Sequence, residues 1–345
     1  MSEQLNGGGD VYASSFLTVV LRECGERTAD AAFMLLQRVF PKITIFRVSG
    51  IPFAECMKRS FERGVSEGAK WTLCIDADVL VDPVGLRLLL QFANLQPESV
   101  FEIQGFVFDK FFGVERPAGN HLYRTMLLPE ALTLIPAEPN TLRPETATIE
   151  QMRVRGYRDV QSPFLVGLHD FEQSYLSIAT KAFLQAHKHN WLSEYLMCRW
   201  RNLEHDVDFQ CALIGFEAGR AYAEDVFVDN VFLRSMVSKR ISVLGVKSAH
   251  YEIGPKFDVA MEIAKLKSEI GHREIAYEAS LKAFYYTPSP PRLREGVQSV
   301  GSIRYAALHL VKLVLSRSSR FLQRLVLGLR CWFAKSDSAD SAVKA

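Results

Sequence analysis

The chain has 345 residues, of which 48% are hydrophobic, and a formal net charge of +2. This length is enough for one large α/β domain with an added helical segment, and the nearly balanced charge argues against nucleic acid as a partner. Six cysteines are scattered without paired spacing, which predicts free thiols in a reducing compartment and hence a cytoplasmic protein.

The first eighty residues alternate between strand and helix patterns. Apolar, β-branched runs at residues 16–21, 43–48 and 71–75 are typical of buried strands. Apolar residues recur at helical spacing in residues 29–39 and 52–64. This order predicts an α/β fold with a mixed, mainly parallel sheet flanked by helices, in which ligands bind at the carboxyl ends of the strands.

Asp76-Ala77-Asp78 follows the third of these strands directly. Strand side chains alternate, so both carboxylates can reach one metal ion or one metal-bound diphosphate. Mg²⁺ and Mn²⁺ suit such a site because they prefer oxygen ligands. The alternative is a strand that simply ends in a polar turn. The sequence has neither a Gly-x-Gly-x-x-Gly after the first strand nor a P-loop, so phosphates would have to be held by a metal and by side chains.

Residues 16–82 resemble the nucleotide-sugar-dependent glycosyltransferases of the GT-A fold, particularly the bacterial inverting type that is family-2-like. The resemblance rests on the segment Ile51-Pro52-Phe53-Ala54-Glu55 and on the run from Trp71 that ends in Asp76-Ala77-Asp78. It implies a GT-A (Rossmann-like) catalytic domain over residues 16–255, with a C-terminal helical extension.

The same resemblance implies site residues. Asp76 and Asp78 would hold Mn²⁺ or Mg²⁺ on the diphosphate of the nucleotide-sugar. Arg22, Glu23 and Ser49 would contact the nucleotide, because they follow the first and second strands. An acid that the family often has near the end of the second strand is not evident here.

A long polar and aromatic stretch occupies residues 109–143, after a predicted helix at 83–95 and strand at 100–108. Connections of this length inside a compact domain are typically binding loops. Its basic side chains could stabilise the charge that develops on a leaving nucleoside diphosphate. The alternative is a set of scattered surface charges. The candidate nucleotide-sugar contacts are Lys110, His121, Arg124 and Arg143.

His169, Asp170 and Glu172 form a dense ionisable cluster between an apolar run at residues 164–166 and a helical pattern at 174–188. Inverting transfer needs a general base within hydrogen-bond reach of the acceptor hydroxyl. We interpret all three as catalytic candidates, with Asp170 as the base and His169 as a metal ligand or acceptor contact. The alternative for Asp170 is a helix N-cap, with Glu172 in the first turn.

Two later clusters are weaker candidates. Asp206 and Asp208 form a second Asp-x-Asp, but they precede a helical pattern at residues 209–215 and are predicted to be acids of the helix N-terminus. His250 is a reserve metal ligand, because some GT-A enzymes complete the metal site with a late histidine.

The C-terminal third has a different composition. The apolar spacing of residues 256–286 predicts a helical hairpin, and the proline-rich composition of residues 287–296 is typical of a linker. Residues 297–335 contain no acid and predict a basic amphipathic helix, which is too polar to cross a bilayer but suited to a membrane surface. The alternative is packing on the protein itself or on a second subunit. Residues 1–15 and 336–345 are predicted to be flexible.

These patterns predict a metal-dependent glycosyltransferase that moves a sugar from a nucleotide-sugar donor to a hydroxyl of a glycan or lipid-linked acceptor. Its role would be in bacterial surface polysaccharide or glycolipid synthesis, in the cytoplasm or on the inner face of the plasma membrane. One alternative is a nucleotidyltransferase, although the glycine-rich loop of that class is missing after the first strand. Another is a non-catalytic, membrane-associated scaffold with a GT-A-like fold.

Overall fold

A computed structural model describes residues 14–49, 52–136, 142–189, 192–226, 231–245, 253–254 and 256–269. The strands are Leu17–Glu23 (β1), Ile45–Ser49 (β2), Trp71–Asp76 (β3), Val79–Val81 (β4), Val100–Asp109 (β5), Val114–Pro117 (β6), Asn120–Arg124 (β7) and Arg158–His169 (β8). The helices are Ala29–Val39 (α1), Phe53–Glu67 (α2), Pro83–Asn94 (α3), Leu128–Leu132 (α4), Pro144–Val154 (α5), Tyr175–Lys188 (α6), Ser193–Asn202 (α7), Val207–Arg220 (α8), Val231–Ile241 (α9) and Val259–Glu269 (α10).

The eight strands of the described residues belong to one mixed sheet. Their order is β2-β1-β3-β7-β5-β8-β4, and β6 pairs with β5 beside this path. The pairs β1–β2, β1–β3 and β5–β8 are parallel, and β5–β8 has the longest register. The strands β4, β6 and β7 pair antiparallel to their neighbours. The mixed α/β class predicted from the sequence is confirmed.

Helices cover both faces of the sheet. Alternate residues of a strand point to opposite faces, so each strand contributes side chains to both layers of helices. Leu21 and Leu73 belong to a hydrophobic core that also includes residues of α1, α3 and α10. Val20 and Cys74 point the other way, into a second core formed with α2, α4 and α5. Each strand of the β1–β3 pair is therefore buried on both faces, which explains its nearly continuous apolar sequence.

The expected elements of the first hundred residues are confirmed. The sequence patterns predicted β1, α1, β2, α2, β3, α3 and β5 with small differences at their ends. Pro52 precedes α2, and Gly68 closes it with a positive φ of 67°, a conformation that glycine adopts without strain. The short strand β4 and the helices α5, α7 and α9 were not predicted.

The prediction of a long binding loop over residues 109–143 is wrong. The structure places β6, β7, a 3₁₀ turn at Thr125–Leu127 and α4 in this stretch. All five residues of β7 are buried, between β3 and β5. The polar side chains of β7 suggested a loop, but they are paired inside the protein, so the local sequence does not show an apolar strand pattern.

The chain divides into two compact units. The first contains the sheet and comprises the described residues of 14–178 and 224–269, and the second comprises the described residues of 179–223. In the second unit, Trp200 packs edge-to-face on Phe216, with ring centroids 5.4 Å apart. Asp206 caps α8 by accepting a hydrogen bond from the Asp208 N–H (2.9 Å), so the prediction that these are helix N-terminal acids is confirmed.

Several expectations concern residues outside the described part of the chain. These are His250, the second half of the predicted hairpin, the proline-rich linker, the basic helix at residues 297–335 and most of both termini. Among the described helices, none has the length and apolar character needed to cross a bilayer.

The cysteines partly follow the prediction of free thiols. Cys56, Cys74 and Cys211 are buried free thiols, and Cys24 is an exposed one. Cys198 is disulfide-bonded, so the prediction is wrong for that residue.

Candidate active site

The candidate site lies where β1, β3 and β8 end. The parallel register of β1 and β3 places Arg22 beside Asp76. The strand β4 then pairs with β8, so the turn that contains Asp78 runs beside the end of β8, and the Asp170 N–H donates to the Asp78 carbonyl (3.0 Å). Strand ends that are distant in sequence meet at one edge of the sheet.

Asp76 ends β3 with a side chain that remains 25% exposed. Arg22 Nε donates to Asp76 Oδ1 (2.7 Å), and Arg22 Nη1 donates to Glu145 Oε1 of α5 (2.8 Å). Burial raises the pKa of Asp76 above its ordinary value; the charge of Arg22 opposes this, and those of Asp78 and Glu145 add to it. The carboxylate of Asp76 is therefore paired with the buried guanidinium of Arg22.

A chain of alternating charges continues from Asp76 into the protein. Arg22 connects Asp76 to Glu145, and His121 Nε2 lies 2.9 Å from Glu145 Oε2. On its other side, His121 Nδ1 lies 2.8 Å from Glu102 Oε1. The order of charges is carboxylate, guanidinium, carboxylate, imidazole and carboxylate.

The pKa values of these linked residues follow from the charges of their neighbours. Burial alone would lower the pKa of His121, but Glu145 and Glu102 raise it to about 9. Burial would raise the pKa of Glu145, but Arg22 and His121 hold it well below its ordinary value. At neutral pH, His121 is therefore protonated and Glu145 ionised, and each stabilises the other in a setting where an unpaired charge is costly.

Asp78, His169 and Asp170 form a buried group whose possible ligand atoms all lie within 4.8 Å of one another. His169 Nε2 lies 3.6 Å from Asp78 Oδ2, and His169 Nδ1 lies 3.2 Å from Asp170 Oδ2. Burial would lower the pKa of His169, but the charges of Asp170 and Asp78 raise it to about 10. Two carboxylates that attract a positive charge, with an imidazole between them, are a donor set that fits a divalent cation.

Asp170 has an unusual backbone conformation, with φ at 61°. Few residues other than glycine adopt this region, and the strain is tolerated where the surroundings fix it. Helix α6 begins only at Tyr175, and the Ser174 hydroxyl accepts the Ser177 N–H in its first turn (3.1 Å). Asp170 is therefore not the N-cap of this helix, and its conformation turns the carboxylate toward the group of three.

Glu172 and Lys110 lie at the same end of β8. Glu172 is buried and pairs with Arg27 Nη1 (3.3 Å) from the β1–α1 connection. The Lys110 N–H donates to the His169 carbonyl (3.2 Å), and its ammonium group donates to the Phe171 carbonyl (3.4 Å). The structure thus brings both residues beside the group that contains His169.

Glu23 and Ser49 lie opposite each other at the ends of β1 and β2. Glu23 is buried and pairs with Arg47, whose Nη2 donates to Glu23 Oε2 (3.0 Å). Ser49 is exposed. Both residues are at the same edge of the sheet as Asp76, one and two strands away.

The two remaining candidates have other surroundings. In the antiparallel register of β3 and β7, Arg124 lies opposite Trp71, which is at the other end of β3 from Asp76. Its guanidinium lies 4.2 Å from the Trp71 ring centroid and donates to three backbone carbonyls between residues 96 and 100, which is a structural role. Arg143 immediately precedes α5, the helix that carries Glu145.

Four ionisable residues of this region, three of them buried and Glu145 partly buried, were missed by the sequence reasoning. They are Glu102, Asp109, Arg116 and Glu145. Proline followed by an acid is a signal for a helix start, so Pro144-Glu145 could have predicted α5. Nothing in the local sequence indicates that Glu145 faces Arg22, because the two residues are 123 positions apart.

No family model matches this chain, and no curated protein matches it. Among solved structures, it is similar to a glycosyltransferase involved in the glycosylation of the major capsid of PBCV-1, with 16% identity and a TM-score of 0.32 over 42% of this chain and 82% of that one. Glucosyl-3-phosphoglycerate synthase from Mycobacterium tuberculosis, in complex with phosphoglyceric acid, has 13% identity and a TM-score of 0.31 over 44% of this chain and 71% of that one.

A third similar structure is a mannosyltransferase from Pyrobaculum calidifontis in complex with GDP-Man and Mn²⁺. It has 10% identity and a TM-score of 0.34 over 77% of this chain and 84% of that one. At these identities and TM-scores all three similarities are distant.

Proposed function

We propose that the chain is a metal-dependent glycosyltransferase that moves a sugar from a nucleotide-sugar to a hydroxyl acceptor. The observation that carries the proposal is the different placement of the two acids of Asp76-Ala77-Asp78. Asp76 is held by Arg22, whereas Asp78 joins His169 and Asp170 in a group suited to a cation. The resemblance of residues 16–82 to GT-A glycosyltransferases supports the same reading.

Asp78, His169 and Asp170 would hold the cation. A bound divalent cation supplies positive charge that offsets the charge developing on a leaving diphosphate. Mg²⁺ prefers oxygen ligands and water, and a donor set that includes an imidazole is better suited to Mn²⁺. We therefore place Mn²⁺ first between the two ions.

Asp76 and Arg22 would bind the donor. The carboxylate of Asp76 is partly exposed, so it can accept hydrogen bonds from hydroxyl groups of the nucleotide or the sugar. Arg22 is buried, and its contacts with Asp76 and Glu145 fix the carboxylate of Asp76 in position. Binding groups that are ordered before the substrate arrives lose less entropy when it binds.

Glu172 is our candidate for the general base. Asp170 was the first choice from the sequence, but it belongs to the group of three, and a carboxylate that binds a cation is a weaker base. Glu172 lies two residues further along the same strand end and pairs with Arg27. It would accept the proton of the acceptor hydroxyl as that oxygen attacks the sugar.

The finer assignments follow from the sequence patterns alone. Inverting stereochemistry and a role in bacterial surface polysaccharide or glycolipid synthesis come from the family resemblance. A membrane surface near the acceptor comes from the basic amphipathic pattern at residues 297–335, which lie outside the described residues.

A donor-hydrolysis and transfer assay tests the proposal. Purified protein is incubated with UDP-, GDP-, CMP- and dTDP-sugars in Mn²⁺ or in EDTA, and release of the nucleotide is measured. We expect release from one donor class with Mn²⁺ and none in EDTA. Asp78→Asn should abolish release by weakening cation binding, and Asp76→Asn should raise the KM for the donor.

Asp258→Asn provides the control, because Asp258 belongs to none of the groups described above and its side chain caps an exposed helix start by accepting from the Met261 N–H (3.0 Å). It should behave like the wild type. Full activity of Asp78→Asn in the presence of EDTA would contradict a metal-dependent enzyme.

A further inference from the structure

Asp109, the last residue of β5, is a carboxylate with no exposed surface. Its Oδ1 accepts hydrogen bonds from the N–H groups of Phe111 and Phe112 (both 2.9 Å), in the turn that leads to β6. Its Oδ2 accepts from Arg116 Nε (2.8 Å) and is paired with Arg116 Nη2 (2.6 Å). Both oxygen atoms are therefore fixed by the hairpin itself.

The same carboxylate faces the candidate metal group. Asp109 Oδ2 lies 2.9 Å from His169 Nδ1. Asp109 and His169 are also direct neighbours in the parallel register of β5 and β8, so the backbone fixes their separation. The other ring nitrogen, Nε2, lies on the side of Asp78, 3.6 Å from its Oδ2.

We propose that Asp109 is a positioning residue that makes His169 present Nε2, rather than Nδ1, to a divalent cation. This inference rests on the proposed function, because it concerns the same cation. A neutral imidazole has one donor and one acceptor nitrogen, and an ionised carboxylate can only accept. His169 loses one proton when it binds a cation, and Asp109 keeps the remaining proton on Nδ1, so the lone pair of Nε2 is left for the cation.

Arg116 and Asp170 complete this arrangement. The charge of Arg116 compensates that of Asp109, so the carboxylate can stay ionised where no water reaches it. Asp170 Oδ2 is a second acceptor near His169 Nδ1, at 3.2 Å, but it is the longer contact and belongs to the candidate ligand set. With Asp109 on Nδ1, Asp170 is not needed to hold that proton and can serve as a ligand of the cation.

Asp109→Asn reverses the hydrogen-bonding pattern while it keeps the size of the side chain. The amide oxygen can still accept from the turn, but the amide N–H₂ then faces Arg116 and His169 Nδ1, which are donors. His169 relieves this conflict by moving its proton to Nε2, the nitrogen that should bind the cation. We expect Mn²⁺ affinity to fall by about 10- to 100-fold, the effect usual for partners of metal-binding histidines.

The experiment compares Mn²⁺ titrations of wild type, Asp109→Asn and Glu115→Gln, followed by the electron paramagnetic resonance signal of free Mn²⁺. Glu115 is the matched control, since it lies in the same hairpin and pairs with Lys267 (2.6 Å). It should bind Mn²⁺ as the wild type does. If wild type binds Mn²⁺ and Asp109→Asn binds it equally well, the inference fails and the proposed function stands. If wild type binds none, both fail.

A second measurement keeps the inference testable if Asp109→Asn does not fold. Wild-type protein labelled with ¹⁵N-histidine is loaded with diamagnetic Zn²⁺, and long-range ¹H–¹⁵N correlation spectra identify the ring nitrogens of His169. We expect a metal-bound Nε2 and a protonated Nδ1. A metal-bound Nδ1 would overturn the inference regardless of the variant.

Discussion

Asp170 and Glu172 are separated by one residue but have different surroundings. Asp170 lies in a buried group with Asp78 and His169, and its left-handed backbone turns its carboxylate toward them. Glu172 pairs instead with Arg27. From this difference we assign cation binding to Asp170 and removal of the acceptor's proton to Glu172.

Asp170→Asn and Glu172→Gln should therefore have different effects. Asp170→Asn removes a charged ligand, so we expect weaker Mn²⁺ binding and an activity loss that added Mn²⁺ partly restores. Glu172→Gln removes the base and the charge that pairs with Arg27, but no ligand of the cation. We therefore expect unchanged Mn²⁺ and donor binding with kcat reduced by about 10²- to 10⁴-fold, the usual contribution of a positioned base. Isothermal titration and steady-state kinetics on the same preparations measure both effects. Equal loss of Mn²⁺ binding in the two variants would contradict the assignment.

The residues that sequence reasoning found share one property. Each lies at or just beyond the end of an apolar run, so a local pattern places Asp76, Asp78, His169 and Asp170 at strand ends. Residues such as Glu145 and Asp109 act through partners 123 and 60 positions away. Such pairs depend on strand order and helix placement, which hydrophobic periodicity does not encode.

The element that differs most from its sequence pattern is β7. Asn120 is fully buried, and its side chain accepts the Gly105 N–H (2.7 Å) and donates to the Gly105 carbonyl (3.1 Å). His121 is enclosed by Glu102 and Glu145. A strand in the middle of a sheet usually has an apolar sequence, but here neighbouring strands and α5 satisfy the polar groups. Only the tertiary structure shows that this polar segment is a strand.

The pKa of His121 predicts how the stability of this element changes with pH. His121 has a pKa of about 9 in the folded protein, compared with an ordinary value of 6.5. A raised pKa stabilises the fold fully below pH 6.5, and this stabilisation is lost as the pH rises through about 9. The contribution is at most about 3 kcal/mol in the free energy of unfolding.

His121→Gln should therefore be less stable than wild type at pH 6, and the difference should shrink by pH 10. Urea unfolding at a series of pH values measures it. His205→Gln, at an exposed histidine, is the matched control and should follow the wild-type curve. Parallel pH profiles for wild type and His121→Gln would show that the imidazolium does not stabilise the fold.

For the molecule as a whole, the class of fold was predictable from the sequence, but the order in which the strands pair was not. Apolar runs and helical spacing identified most elements of the first hundred residues, because those strands are buried on both faces. The sheet order was not predictable, since β3 pairs antiparallel with β7, which is distant in sequence, and β5 pairs parallel with the distant β8. The pairing of β4 with β8 was not predictable either, and it brings the turn of Asp78 to the end of β8 and so assembles the site.

Binding of a nucleotide together with a divalent cation is the central claim, and a thermal-shift screen tests it most directly because it needs no acceptor. Wild type and Asp78→Asn are heated with UDP, GDP, CMP and dTDP and their sugars, with and without Mn²⁺. A ligand at about 100 times its Kd should stabilise the folded state by about 2.7 kcal/mol. We predict a higher Tm with one nucleotide class, only with Mn²⁺ and only in wild type. No shift with any nucleotide in Mn²⁺, or the same shift in Asp78→Asn, would contradict the account.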